Sequence, residues 1–274
     1  MPSFLTDDGV RLDYLESGSR SGRAVVLIAG FKVPATSWAS QSKALVAAGY
    51  RVLALDRRGD GNSDTGDIEH DTMAQHGADL VRLLEHLELR DVVLVGGSIG
   101  GNVIWSAIAQ GAEDRIAGVV VVDQTPKMLN TDDWPHGFYG YNTSNLDTMF
   151  ETEIPDPGRF PRWKKGPVRI ARLLMRLDLS RAAAALTGPE LALLHDHAIA
   201  DWRLTIEKVE VPVLFVAGAE SEFWPSSHAA ASARIAPSGS SVVIEHDGHV
   251  ANVEQPKAFN EVLLAFLART PSVE

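Results

Sequence analysis

Short, mostly apolar runs recur along the chain: Ala24 to Ile28, Tyr50 to Leu55, Val92 to Val95, Ile116 to Val122 and Val211 to Ala217. Runs of this length with no polar face fit strands buried on both sides rather than half-exposed ones. Between them the spacing turns helical. Met73, Leu80, Leu83, Leu84 and Leu87 fall on one face of a helix predicted over Asp71 to Leu87, and further helices are expected over Ser37–Ala48, Asn102–Gln110, Ser226–Ile235 and Pro256–Ala268. Strand alternating with helix predicts a mostly parallel sheet covered on both faces. Phe4–Thr6 and Arg11–Glu16 alternate in polarity around Asp7-Asp8-Gly9, which predicts an antiparallel hairpin at one edge, and Ser241–Glu245 adds a closing strand.

The alternation breaks from Gln124 to about Ile206. This stretch is rich in proline and aromatic residues, carries helices expected over Gly166–Leu177 and Pro189–Ala200, and is too long for a loop of a compact domain. It is read as a helical lid, residues 124–206, inserted into a core made of 1–123 and 207–274. In its first helix Arg169, Arg172 and Arg176 oppose Ile170, Leu173, Leu174 and Leu177, the pattern of an amphipathic helix with a charged, solvated face. His76 and His86, on the helix before the third apolar run, are likewise read as solvated.

Composition narrows the function. The 274 residues are 45% hydrophobic and 22% charged, ordinary for a globular chain, and contain no cysteine. Disulfides, thiolate metal sites and cysteine nucleophiles are thereby excluded. A net charge of -11 argues against nucleic acid, whose phosphates are bound by clustered Lys and Arg. No apolar run reaches the length of a membrane span, and the first residues lack a basic segment followed by an apolar one, so a cytoplasmic location and no membrane partner are expected.

One apolar run stops at a serine among glycines, Gly96-Gly97-Ser98-Ile99-Gly100-Gly101, where strand gives way to helix. In that setting the G-x-S-x-G spacing describes a sharp elbow that lifts the serine hydroxyl above the sheet and aims the next helix's N-terminus at a developing oxyanion. A serine hydroxyl needs a base to remove its proton. His249, in the loop after the last strand and preceded by Gly248, is the candidate; His246 is its rival.

Leu27-Ile28-Ala29-Gly30-Phe31, Asp56-Arg57-Arg58-Gly59-Asp60-Gly61-Asn62-Ser63, the Ser98 elbow, and Gly248-His249 followed by Glu254 and Pro256 together resemble the α/β-hydrolase family across nearly the whole chain. The branch most alike is that of bacterial esterases and cofactor-free (non-heme) haloperoxidases. The resemblance implies the α/β-hydrolase fold, Ser98 as nucleophile, His249 as base, and the backbone N–H groups of Phe31 and Ile99 as oxyanion hole. It also implies no metal and no organic cofactor. Two positions depart from the family. Ala29 stands where many relatives have His, and the usual acid position falls on Ser221, flanked by Glu220 and Glu222. Asp123, at the end of the strand after the elbow helix, is the preferred acid, with Glu220 and Glu222 as alternatives. The competing reading of Asp123 is a turn cap.

The reaction expected is acyl transfer from an ester of a small, largely apolar substrate, with Trp38, Trp134, Phe138 and Trp224 as pocket walls. Attack of hydrogen peroxide on the acyl-enzyme would add perhydrolase and haloperoxidase activity. Two other readings stay open: a cofactor-free dioxygenase opening 3-hydroxy-4-quinolone rings with a His–Asp pair, and a small-ligand binding protein without turnover.

Overall fold

The computed structural model describes residues 1–67 and 71–272. Strands β1 (Ser3–Leu5), β2 (Arg11–Ser17), β3 (Ala24–Ile28), β4 (Arg51–Leu55), β5 (Val92–Gly97), β6 (Ile116–Val122), β7 (Val213–Gly218) and β8 (Gly239–Ile244) form one sheet in the order β1-β2-β4-β3-β5-β6-β7-β8. β1 and β2 pair antiparallel with each other, β2 pairs antiparallel with β4, and every later pairing is parallel. The strand order reverses beside β3, which puts the end of β5 at the crevice where open α/β sheets place their ligands.

β3 and β6 are buried at every residue because helices cover both faces. Val92 and Leu94 of β5 pack into one core with α2 (Met73–His86), α3 (Ile99–Ala109), α7 (Arg203–Lys208) and α8 (Ser227–Ile235). Val93 and Val95 pack into the other with α1 (Ala39–Ala47), α9 (Ala251–Glu254) and α10 (Pro256–Leu267). The starts of α2 and α3 differ from the expectation for identifiable reasons. α2 begins at Met73 because the Thr72 side chain accepts the Gln75 N–H as an N-cap. α3 begins at Ile99, directly after the serine, rather than at Asn102. Its early glycines carry a packing function: a Cβ on Gly100 would lie 2.5 Å from the Ile28 carbonyl oxygen, so only glycine lets the helix start so close to β3.

Between β6 and β7 runs the stretch expected as an insertion, carrying α4 (Gly166–Arg176), α5 (Leu179–Ala183) and α6 (Gly188–Ile199). A small apolar cluster of its own, including Phe138, Tyr141, Phe150 and Leu194, closes on Trp224 of the loop after β7. The insertion is pinched at its base, where Trp202 N–H donates to Pro126 O (3.0 Å) and Lys127 bridges Asp201. α7 crosses the expected boundary at 206/207, and its Ile206 belongs to the sheet's core.

Candidate active site

Ser98 has φ 52° and ψ -134°, a strained combination for a residue with a side chain. The elbow is tight enough that a Cβ on Gly96 would meet the Gly100 backbone at 2.4 Å. Ser98 is held there by its N–H to Val122 O (2.9 Å) and its carbonyl to the Gly101 N–H (2.8 Å). Across the crevice, His249 Nε2 lies 2.9 Å from Ser98 Oγ, and His249 Nδ1 lies 2.8 Å from Asp123 Oδ2. The order Asp123, His249, Ser98 therefore forms one continuous hydrogen-bonded line. His246 is exposed, 3.5 Å from Glu220, and remote from this line.

Asp123 is fully buried, with φ 46° and its N–H given to Val216 O at 2.6 Å. Burial pushes its carboxyl up, but hydrogen bonds from His228 and His249 outweigh it, leaving the group well below the usual carboxylate range. It is thus an anion at neutral pH, as a partner for an imidazolium requires. The glutamates that flank Ser221 face elsewhere. Glu220 pairs with Arg169 at 2.6 Å. Glu222 pairs with Lys165 at 2.6 Å and accepts the backbone N–H of His249 at 2.9 Å, so it touches the loop of the base but not its ring.

Above Ser98 lies a cavity of about 40 Å³ lined by Phe31, Ile99, Phe138, His197, Phe223 and Trp224, among others. Among the described residues, no loop or cap hydrogen bond engages the N–H of Phe31 or of Ile99. Ile99 opens α3, where the first N–H groups of a helix lack intrahelical partners. Of the expected wall residues, Phe138 and Trp224 line the cavity. Trp38 and Trp134 do not. Trp38 is core packing beneath the elbow, against Phe259 (6.1 Å between ring centroids) and within 3.3 Å of where a Gly97 Cβ would be. Trp134 is fixed at the base of the insertion, its Nε1–H donating to Thr125 Oγ1 and Lys127 O, with Arg203 over its ring.

Several of the contacts around the site carry no signal in the sequence. Phe223 and Trp224 set their rings edge-on to His249 at 4.6 and 5.2 Å. His197, brought in by α6, is buried and kept neutral: burial and then the nearby Arg57 push its pKa down to about 3. His76 is buried, not solvated. Its Nε2–H donates to Asp71 (2.6 Å), while its Nδ1 faces Arg57 (3.2 Å), and burial lowers its pKa. Arg57 in turn donates to Ala29 O (3.1 Å) and Gly30 O (2.9 Å), bracing the loop that carries Phe31. His86 is exposed, as expected, and stacks on Phe4.

Arg169 also departs from its expected solvated place. It is 8% exposed and shares Glu254 with Lys165, at 2.6 and 2.7 Å, while Arg172 donates to the Glu254 carbonyl (2.6 Å). Arg176 is exposed. Beside this cluster lies Asp247, buried with neither carboxyl oxygen hydrogen-bonded among the described residues. Burial, followed by the negative Glu254 and Asp123, pushes its pKa up to about 9. It is a neutral acid next to the loop of the base.

The chain is similar to known proteins over nearly its whole length. The chain is 28% identical to a non-heme chloroperoxidase of Streptomyces lividans over 97% of its own length and 99% of that protein. It is 25% identical to a bifunctional esterase/perhydrolase of Acinetobacter calcoaceticus, over 96% and 98%. A bromoperoxidase from Bacillus anthracis superposes with a TM-score of 0.78 at 28% identity, covering 97% of this chain and 100% of that one. An esterase from Exiguobacterium antarcticum, at 19% identity, shares the fold with a TM-score of 0.80 over 97% and 98%. Residues 25–262 match the alpha/beta hydrolase family model, and with a sheet, an elbow and a strand order of that kind the chain belongs to the alpha/beta hydrolase family.

Proposed function

We propose that the protein is a serine hydrolase that cleaves an ester of a small, largely apolar acid through Ser98, His249 and Asp123. The carrying observation is the unbroken line from Asp123 Oδ2 through both nitrogens of His249 to Ser98 Oγ, at 2.8 and 2.9 Å, ending below an apolar cavity. His249 takes the Ser98 proton as Oγ attacks the carbonyl carbon, and Asp123 stabilises the imidazolium. The oxyanion is received by the N–H groups of Phe31 and Ile99. His249 then returns the proton to the leaving alcohol, and water activated by the same ring releases the acid and frees Ser98. Hydrogen peroxide in place of that water would give a peracid, an activity in keeping with the names of the relatives. The insertion acts as the lid over this site.

The cavity's about 40 Å³ is far below the roughly 300–1,000 Å³ of typical ligand pockets, so short acyl chains are favoured. The test is an oxygen electrode beside a p-nitrophenyl acetate, butyrate and octanoate series on one sample. We expect turnover falling from butyrate to octanoate, no oxygen uptake, and loss of at least about 1,000-fold in Ser98→Ala. Oxygen uptake with a 3-hydroxy-4-quinolone, retained in Ser98→Ala, would replace this reading with cofactor-free ring cleavage. A folded protein with neither activity would leave a binding function.

A further inference from the structure

Ser221 occupies the position where the resemblance places an acid, and its hydroxyl now serves the acid that lies elsewhere. Ser221 Oγ–H donates to Asp123 Oδ2 at 2.6 Å, the same oxygen that accepts from His249. The other oxygen, Oδ1, accepts the Gly218 N–H at 3.0 Å and faces Nε2 of His228 at 3.5 Å. His228, on α8, is 1% exposed, and its Nδ1 is buried without a partner among the described residues. A proton on Nδ1 would be an orphaned donor and would turn a lone pair toward a carboxylate, so the ring carries its proton on Nε2. Asp123 is then ringed by donors from β7, the loop after it, α8 and the loop of His249.

Resting on the hydrolase reading above, we infer that Ser221 and His228 are positioning residues for the acid: they aim the Asp123 carboxylate at His249 and, by sharing its charge, temper its hold on the imidazolium. Ser221 has the larger effect, because its bond is shorter and ends on the oxygen that meets His249. Removing that donor concentrates charge on Oδ2, which stabilises protonated His249 and moves the acidic limb of kcat/KM to higher pH. On the plateau, kcat falls because the carboxylate is free to turn. Other ionisable groups near this centre are Asp247 and Tyr139, on which the Asp123 charge acts, His136, on which His228 acts, and Lys165, Glu222 and Glu254 beside Gly248. Among the described residues, none of them hydrogen-bonds the side chain of Ser221 or His228.

The experiment measures pH profiles of p-nitrophenyl butyrate hydrolysis, and the rate of Ser98 labelling by a fluorophosphonate, for wild type, Ser221→Ala, Ser221→Thr and His228→Phe in the full chain. Ser221→Ala should lower plateau kcat about tenfold, with KM within about twofold, and raise the acidic limb by about half a pH unit. Ser221→Thr, which keeps the hydroxyl, should restore both. His228→Phe should move them in the same sense by less. Labelling rates should follow kcat. An active wild type with kcat and limb unchanged in Ser221→Ala overturns the inference alone, as does a loss of kcat with no movement of the limb. A wild type that neither hydrolyses nor labels overturns the hydrolase reading and this inference with it. Ser221→Ala removes a single oxygen and carries the test even if His228→Phe does not fold.

Discussion

β6 and α4, which both lie near the proposed catalytic line, bury their residues on opposite principles. Every residue of β6 from Ile116 to Val122 is buried, all but Gly118 are Ile, Ala or Val, and its end delivers Asp123. α4 turns Lys-adjacent Arg169 inward and leaves Val168 60%, Leu174 59% and Met175 72% exposed. In the sheet, the orientation of each side chain follows from apolar transfer, because a strand covered on both faces has no wet side to offer. In α4, charge decides it. Glu254 is buried and Glu220 and Glu222 are half-buried around the loop of His249, and carboxylates drawn out of water without cations cost more than exposed apolar side chains do. Lys165, at the N-cap of α4, and Arg169, within it, supply those cations.

The comparison breaks first at the acid. If Asp123, delivered by the sheet, does the electrostatic work and the glutamates tied to α4 only hold loops, Asp123→Asn should lower kcat by about 10,000-fold with the protein folded. Glu220→Gln and Glu222→Gln should stay within about tenfold, because an amide oxygen at 222 still accepts the His249 N–H. Steady-state rates with circular dichroism as the folding check decide it; a larger loss in either glutamine variant would move the acid to the loop after β7.

The second break concerns stability rather than rate. Lys165→Met removes the cation that Glu222 pairs with and leaves Glu254 to Arg169, and breaking a buried pair in this way costs about 3–5 kcal/mol. Arg176→Ala, on the exposed side of the same helix, should leave the urea midpoint unchanged. Equal midpoints for both variants would mean that α4 is held by its apolar residues after all.

Much of the sheet-borne part was legible because its signals are local. Ala24–Ile28 and Ile116–Val122 announce buried strands by composition alone, and glycines at 96, 100 and 101 announce an elbow at Ser98. His249 was separable from His246 by its place in the loop. The rest depended on what each residue meets across the fold. The arginine stripe of α4 reads the same whether it faces water or Glu254, and the periodicity of α2 places His76 without revealing that Asp71 and Arg57 bracket its ring. Trp38 and Trp134 failed as wall residues for the same reason, since an aromatic run does not say which cluster it joins. His197 and His228 reach the site from elements far from the Ser98 elbow in sequence, with no spacing to connect them, and Ser221 is marked only as the position where the family usually has its acid.

The smallest effect is expected where the two regions meet, at Asp247. Its carboxyl lies between Asp123 on the sheet side and Glu254 on the insertion side, buried with no hydrogen-bond partner among the described residues, and it holds its proton to about pH 9. In the unfolded chain the proton leaves near the ordinary 3.8. Between those values the folded protein holds one proton more than the unfolded one, so this group's contribution to stability is full below about pH 4 and is lost as pH rises toward about 9. One proton limits the slope to about 1.4 kcal/mol per pH unit. Asp247→Asn keeps the shape and removes the titration, so urea midpoints measured from pH 5 to pH 8 should fall less steeply in the variant than in wild type. Parallel slopes would mean that Asp247 is already ionised in the folded protein. Lys165→Met sharpens the same point: the positive charge of Lys165 pulls the Asp247 pKa down, so without it the proton is held to still higher pH and the decline continues beyond pH 9. A decline that ends at the same pH with and without Lys165 would show that the insertion's cations do not reach this carboxyl.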